Sequence, residues 1–336
     1  MKKLWKTCVV VLLTISLLSC GGKNEPKELT VYSTLLEEEI TLFLEGFHKD
    51  YPEIKVNFIR DSSGVMAAKF EAEKENPAAD VLWAVPTAGF LNHQERFLPY
   101  DYKTGHIDAK FVDQKSEKPR WVGLSAWMSA LTFNNVIGAE KSLPLPKSYA
   151  DLLDPAYKGE IIMPDPASSG TGYLAVSAWI QLMGEQAAWA FMDGLHKNIR
   201  MYVHSGGAPT RMAAQGETAI GIGVEYESIY AERRGAPVTT VFPVEGLGWE
   251  MEIIAIVKKD KIKEEAKLLA DWALSERAME YYAKVRGFVT DDRVQGAVEG
   301  YPADIRQKMI DNDLFWATEN RDRILTEWKK RYGTGE

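Results

Sequence analysis

The sequence predicts an α/β protein built as two lobes, joined by crossing strands around a cleft. Three observations carry this. From Leu29 the chain alternates strand-like and helix-like hydrophobic patterns. Two long β-prone runs, 121–133 and 249–257, divide it, and the first exceeds the length of an ordinary strand. About 310 residues, at the chain's 46% apolar composition, suffice to bury two cores without a disulfide.

Taken in order, 29–33 reads as the first strand. Leu36, Ile40, Phe43, Leu44 and Phe47 recur at helical spacing and predict an amphipathic helix that stops before Pro52. A second strand is expected over 54–59. Asp61-Ser62-Ser63-Gly64 forms a turn with N-cap residues that opens a helix to about Glu75. Val81-Leu82-Trp83 reads as a short buried strand, which completes a lobe with a largely parallel sheet. The run 121–133 leaves this lobe and enters the second.

There, 149–153 begins a short helix, and 160–163 is a strand ended by Pro164-Asp165-Pro166. Two helices follow, about 170–183 and 185–196, with Gly184 between them. A further helix capped by Thr210 follows His204-Ser205-Gly206-Gly207. The strand 218–224 carries Gly221 and Gly223, which mark close approach of another backbone or a ligand. The run 249–257 is the return crossing. An amphipathic helix pair over 263–285 and a polar helical tail over 304–332 close the chain.

The N-terminus reads as a targeting signal. Lys2, Lys3 and Lys6 precede an apolar run from Val9 to Leu18, too short to span a bilayer as a helix. The run ends Leu17-Leu18-Ser19-Cys20-Gly21, which looks like a lipobox with Cys20 as the lipidated residue. Cys8 leaves with the signal, so no thiol or disulfide chemistry remains in the exported domain. Loss of residues 1–19 leaves 37 basic against 48 acidic side chains, a net charge of −11. Such a surface disfavours nucleic acid. The membrane is therefore expected to be met only through the lipid.

The sharpest motif is Pro164-Asp-Pro-Ala-Ser-Ser-Gly-Thr-Gly172, with a strand leading in and an apolar helix leading out. Ser168, Ser169 and Thr171 supply hydroxyls, and Gly170 lets the backbone approach a bound group. The N–H groups of a first helical turn favour an anion. A plain N-cap with flexible glycines is the bland alternative. Ser205 belongs to a second polar loop able to add a donor. Glu225-Tyr226, at the end of the Gly-rich strand, and Asp61-Ser62, at a helix start, offer a carboxylate for a cationic group. Ser33 and Thr34 end the first strand as further donors. Trp83 and Trp127 either wall the cleft or belong to the core. Enzyme signatures are absent: there is no G-x-S-x-G, H-E-x-x-H or G-x-x-x-x-G-K-[ST] motif, and the five histidines lack metal-ligand spacing. A hydrolase reading would need Ser169 as nucleophile, with no base placed by any motif. No metal or cofactor is expected.

These segments resemble the periplasmic 2-aminoethylphosphonate-binding proteins of ABC importers, relatives of the ferric-iron-binding proteins in the type II periplasmic binding protein superfamily. The matching stretches include LTVYS (29–33), RDSSGV (60–65), NPAADVLW (76–83), WVGLSAW (121–127), KGEIIMPDPASSGTG (158–172), HSGGAP (204–209), GVEYE (223–227) and LFWATENRDRILTEWKKRY (314–332). The resemblance implies a monomer that performs no reaction, holds its solute between two lobes and delivers it to a permease. It places a phosphonate on 168–171. In the iron-binding relatives a serine-glycine segment matching 168–170 holds a phosphate, and an adjacent tyrosine pair binds iron. Here that pair reads Glu225-Tyr226, which weakens an iron reading without removing a hard oxygen ligand. The expected layout is signal peptide 1–19, tether 20–28, first lobe 29–125 and 249–300, and second lobe 126–248. The helical segment 301–336 is expected to pack on the second lobe. The expected solute is 2-aminoethylphosphonate or a related aminophosphonate, with ferric iron, phosphate or a phosphate ester as alternatives.

Overall fold

The structure, a computed structural model, describes residues 27–294, 299–302 and 304–333. The expected signal, tether and lipidated Cys20 lie outside the described residues, save for positions 27 and 28.

In the first lobe, β1 (Glu28–Ser33) pairs in parallel with β2 (Lys55–Arg60) and with β3 (Val81–Pro86). Helix α1 (Glu37–Asp50) follows β1, and α2 (Ser63–Ala72) follows β2. Phe43 and Phe47 are buried on the inner face of α1, as the helical spacing predicts. Strand β3 runs three residues beyond the expected Trp83, through Ala84, which has φ of 53°. The carbonyl of Ala84 accepts the Thr34 hydroxyl at 2.9 Å, which helps hold this unfavourable backbone.

Strand β4 (Val122–Asn134) is the first crossing: thirteen residues, all buried. After it come α3 (Asn135–Glu140), β5 (Ile161–Pro164), α4 (Gly170–Met183) and α5 (Glu185–His196). Next are β6 (Ile199–Val203), α6 (Ala208–Ala214), β7 (Ile220–Val224), α7 (Glu225–Arg233) and β8 (Val238–Val241). In the second lobe β5 pairs in parallel with β6 and β7. The 129–134 half of β4 runs antiparallel between β7 and β8. Its other half pairs antiparallel with β9 (Trp249–Ile256), which in turn lies against β3. One strand therefore belongs to both sheets, and the path β2-β1-β3-β9-β4-β7-β5-β6 runs unbroken through the molecule. This is the mixed α/β architecture that the sequence predicts.

The chain then returns to the first lobe through α8 (Glu264–Ala273), α9 (Glu276–Tyr282) and β10 (Phe288–Val289), which adds to β4. It ends in α10 (Ile305–Lys308), α11 (Leu314–Glu319) and α12 (Arg321–Tyr332). One core joins α1, β1, β3, β9, α8 and α9 around Phe43, Phe47, Trp83 and Trp272. A second gathers Tyr157, Tyr173, Trp179 and Trp189 with Ile324, Trp328 and Tyr332 of α12.

Three strands escape the sequence reading. β10 is two residues long, too short for a period. β6 and β8 carry partly exposed residues and lack a clean alternation. Thr210 is not the N-cap of α6. Gly207 is, and Thr210 sits inside the helix with its hydroxyl 3.1 Å from that of Thr132.

Candidate functional site

Strands β1, β2, β5, β6 and β7 each turn into a helix at the same end of the parallel sheet, so the helix starts are gathered on the cleft. The consequence is specific. The N-cap residues of α1, α2, α4, α6 and α7 are Leu36, Ser62, Ser169, Gly207 and Val224, and all of them line one cavity of about 100 Å³. The positive ends of these helix dipoles and their first-turn N–H groups converge there. From the first lobe Thr34, Arg60, Ser62, Ser63 and Glu252 reach the cavity. From the second come Ser169, Gly170, Thr171, Ser205 and Gly206, with Arg211, Tyr226 and Glu227. Trp127, on the crossing strand, forms part of the wall.

The lobes touch across this cavity. The Gly64 N–H donates to the Ser168 carbonyl at 3.1 Å, and His204 Nε2 lies 3.1 Å from Asp61 Oδ1. The guanidinium of Arg286 stacks 4.0 Å from the centre of the Tyr226 ring. In the second lobe Gly206 packs closely against the start of α4 and Gly207 against Glu227 of α7. A Cβ on Gly206 would overlap the Thr171 hydroxyl, and one on Gly207 would overlap the Glu227 carboxylate.

Of the expected residues, Ser62, Ser169, Gly170, Thr171, Ser205 and Tyr226 are brought together on the cavity wall. Five others are placed elsewhere. Ser168 donates its hydroxyl to the His204 carbonyl at 2.9 Å and ties two loops together beside the cavity. Asp61 faces His204 rather than the cavity. Burial pushes its carboxyl up, but His204 and the Ser62 N–H outweigh that and hold it below its ordinary value. Ser33 is fully buried and accepts the Leu35 N–H. Trp83 is a core residue, packed on Phe43, Phe58 and Trp272, and its Nε1 donates to Tyr282 at 2.8 Å. Position along β3 decides this: cleft residues follow the strand ends, and Trp83 lies inside a strand buried at every position.

Glu225 is the largest correction. It is fully buried, accepts the Met128 N–H at 2.7 Å and the Tyr301 hydroxyl at 3.1 Å, and does not line the cavity. The carboxylate that α7 presents to the cavity is Glu227, two residues on. At about 100° per residue, two steps turn a side chain to the far face of α7. Arg60, Arg211, Glu227 and Glu252 escape the sequence reading. The available signal was position: Arg211 lies one turn into α6 from Gly207, and Arg60 ends β2.

Both cavity carboxylates are already engaged. Arg211 Nη1 lies 3.0 and 3.1 Å from the two oxygens of Glu227. Glu252 accepts Arg286 through both oxygens, at 2.8 and 3.1 Å, and the Ser125 hydroxyl at 2.6 Å. Burial pushes Glu227 up to about 7 against the pull of Arg211. It does the same to Glu225, opposed by the Met128 N–H, and to Glu250, opposed by the Thr87 hydroxyl. Among the described residues no three His, Cys, Asp or Glu side chains cluster as a metal site.

These raised carboxyls fix the sign of a pH effect. Glu225, Glu227 and Glu250 hold their protons to about pH 7 when folded, against an ordinary value of 4.5. Their contribution to stability is full below about pH 4.5 and is lost as pH rises through 7, at up to about 1.4 kcal/mol per pH unit per group. Calorimetry of the unliganded protein should show Tm falling between pH 5 and 8, with a shallower slope in Glu225→Gln. A Tm that rises across this window contradicts the assignment.

A two-lobed α/β architecture with a donor-lined cavity between the lobes is one that suits solute binding. Residues 80–316 match the bacterial extracellular solute-binding protein family, and the chain belongs to it. An uncharacterised protein of Haemophilus influenzae is 33% identical over 329 residues, 94% of each chain. The periplasmic binding protein AfuA of Actinobacillus pleuropneumoniae, with fructose-6-phosphate bound, superposes with a TM-score of 0.82 at 30% identity, over 92% of this chain and 99% of the other. The periplasmic binding protein P5PA gives 0.82 at 26%, over 91% and 99%. The apo ferric ion-binding protein A of Pasteurella haemolytica shares the fold, with a TM-score of 0.71 at 22% identity over 92% and 99%. Family and location are thus those of an extracellular or periplasmic solute-binding protein. No helix among the described residues is long and apolar enough to cross a membrane.

Proposed function

We propose that the chain is the binding component of an ABC importer, tethered by lipid on Cys20, and that its solute is a phosphate monoester with an uncharged organic part. The observation that supports this is the convergence of five helix N-caps, with the hydroxyls of Ser62, Ser169, Thr171 and Ser205, on one cavity that also receives Arg60 and Arg211. That set of donors suits a tetrahedral dianion. The pairing of Glu227 with Arg211 and of Glu252 with Arg286 favours an uncharged organic part, because an ammonium group would have to break one of these pairs. A hydroxyl group, by contrast, bonds to an Arg–Glu pair without separating it. The likeness to AfuA, a protein with a sugar phosphate bound, agrees with this reading.

The sequence resemblance and the small cavity favour a second reading, 2-aminoethylphosphonate, with its ammonium at a Glu227 released from Arg211. A thermal-shift and calorimetry panel separates the two. With hexose 6-phosphates at a hundredfold excess over Kd, added stability should reach about 2.7 kcal/mol. A comparable response to 2-aminoethylphosphonate but not to hexose phosphates supports the second reading. A response to ferric iron with phosphate alone defeats both.

A further inference from the structure

The anion cavity does not end at its own back wall. Leu36, Tyr226 and Glu227 are shared with a neighbouring chamber of about 260 Å³, more than twice its size. The other walls come from both lobes: Leu42 of α1, Tyr230 of α7, and Val285 in the link between α9 and β10. These surfaces are apolar. Among the charged groups there, Glu39 is taken up by the Leu36 N–H at 2.8 Å and by the Arg286 guanidinium, Glu227 is paired with Arg211, and Glu38 and Lys284 are exposed. Tyr230 is 43% exposed, and the Arg234 guanidinium lies 4.2 Å from its ring centre.

Size and polarity divide the two spaces. The donor-lined cavity is the smaller, about 100 Å³ against about 260 Å³, and suits a phosphoryl group and the first few atoms attached to it. The next chamber offers more room and walls that are mostly apolar, and Tyr226 lines both spaces. We infer that this chamber is a second subsite of the same cleft, which takes an apolar substituent of the phosphate ester while the phosphoryl group sits on Ser169, Gly170 and Thr171. This rests on the anion reading proposed above and narrows it to esters with an apolar part. It also gives Tyr226 a specificity-determining place, as the wall between the two spaces. Since α1 belongs to one lobe and α7 to the other, a substituent here would contact both and add to closure.

Calorimetry on the purified protein with a series of monoesters tests this: inorganic phosphate, then methyl, ethyl, propyl and butyl phosphate. Affinity should rise about two- to fourfold for each added methylene. In Leu42→Gln and in Tyr230→Gln the rise should flatten, while methyl phosphate binds as in the wild type. Tyr230 is exposed enough that its variant should fold even if the Leu42 variant does not. If methyl phosphate binds and affinity stays level along the series, the subsite is overturned and the anion site stands. An equal slope in wild type and both variants also overturns it. If no phosphate compound binds, the anion reading falls and the subsite falls with it.

Discussion

Replacing Arg286 with methionine lowers the free energy of unfolding by about 3–5 kcal/mol. The side chain is 1% exposed and holds two buried carboxylates. Its Nη1 donates to Glu39, and Nη2 and Nε donate to the two oxygens of Glu252 at 2.8 and 3.1 Å. Without the cation, Glu39 and Glu252 face each other in the interior with only the Leu36 N–H and the Ser125 hydroxyl as donors. The loss comes from the charges left behind, more than from the bonds themselves. The triple variant Glu39→Gln, Arg286→Met, Glu252→Gln should therefore recover most of it. Denaturant titration of the three proteins checks this. A loss under about 1 kcal/mol in Arg286→Met would show that the charges find water on unpairing. The effect should reach the cleft as well, because Glu252 and Tyr226 both line the cavity and both are held by this guanidinium.

Gly206→Val should abolish anion binding while leaving the fold intact. The new side chain would occupy the place of the Thr171 hydroxyl and crowd the Ser169 hydroxyl, 3.3 Å from the Cβ alone. Either the 205–207 loop or the first turn of α4 has to move, and donors from two helix starts lose their common target. Charge-assisted bonds are worth about 1.5–3 kcal/mol each, so two lost bonds correspond to at least about a hundredfold. Gly105→Ala is the control, since a Cβ there meets nothing within 4 Å. Calorimetry with a hexose 6-phosphate and with inorganic phosphate reads the result. Binding within threefold of wild type in Gly206→Val would remove the 205–207 loop from the site.

The segment 168–171 shows how far local chemistry carries. A strand, two serines and a glycine before an apolar helix mark a helix start whose N–H groups need a partner, and Ser169, Gly170 and Thr171 do reach the cavity. Ser168, one residue earlier, has the same chemistry but points to the His204 carbonyl. No sequence pattern separates the two, because the difference lies in where the 204–207 loop passes.

The carboxylates make the same point more sharply. Glu225 and Glu227 both open α7, and either suits a polar cleft. Only the rotation of the helix on β7 decides that Glu225 is enclosed against Met128 and Tyr301 while Glu227 meets Arg211. The sequence by itself determined the elements that hydrophobic period dictates: the two-lobed α/β architecture, the crossing strand β4, and the pair α4 and α5. It also determined the start of α4 at Ser169 and Gly170, because caps and periods are local. The tertiary structure alone decided which side chains face the cleft, that each cleft carboxylate is matched by an arginine, and that a second apolar chamber adjoins the first. Those facts depend on how segments far apart in the chain are set against each other: Arg286 and Glu39, for example, lie 247 positions apart.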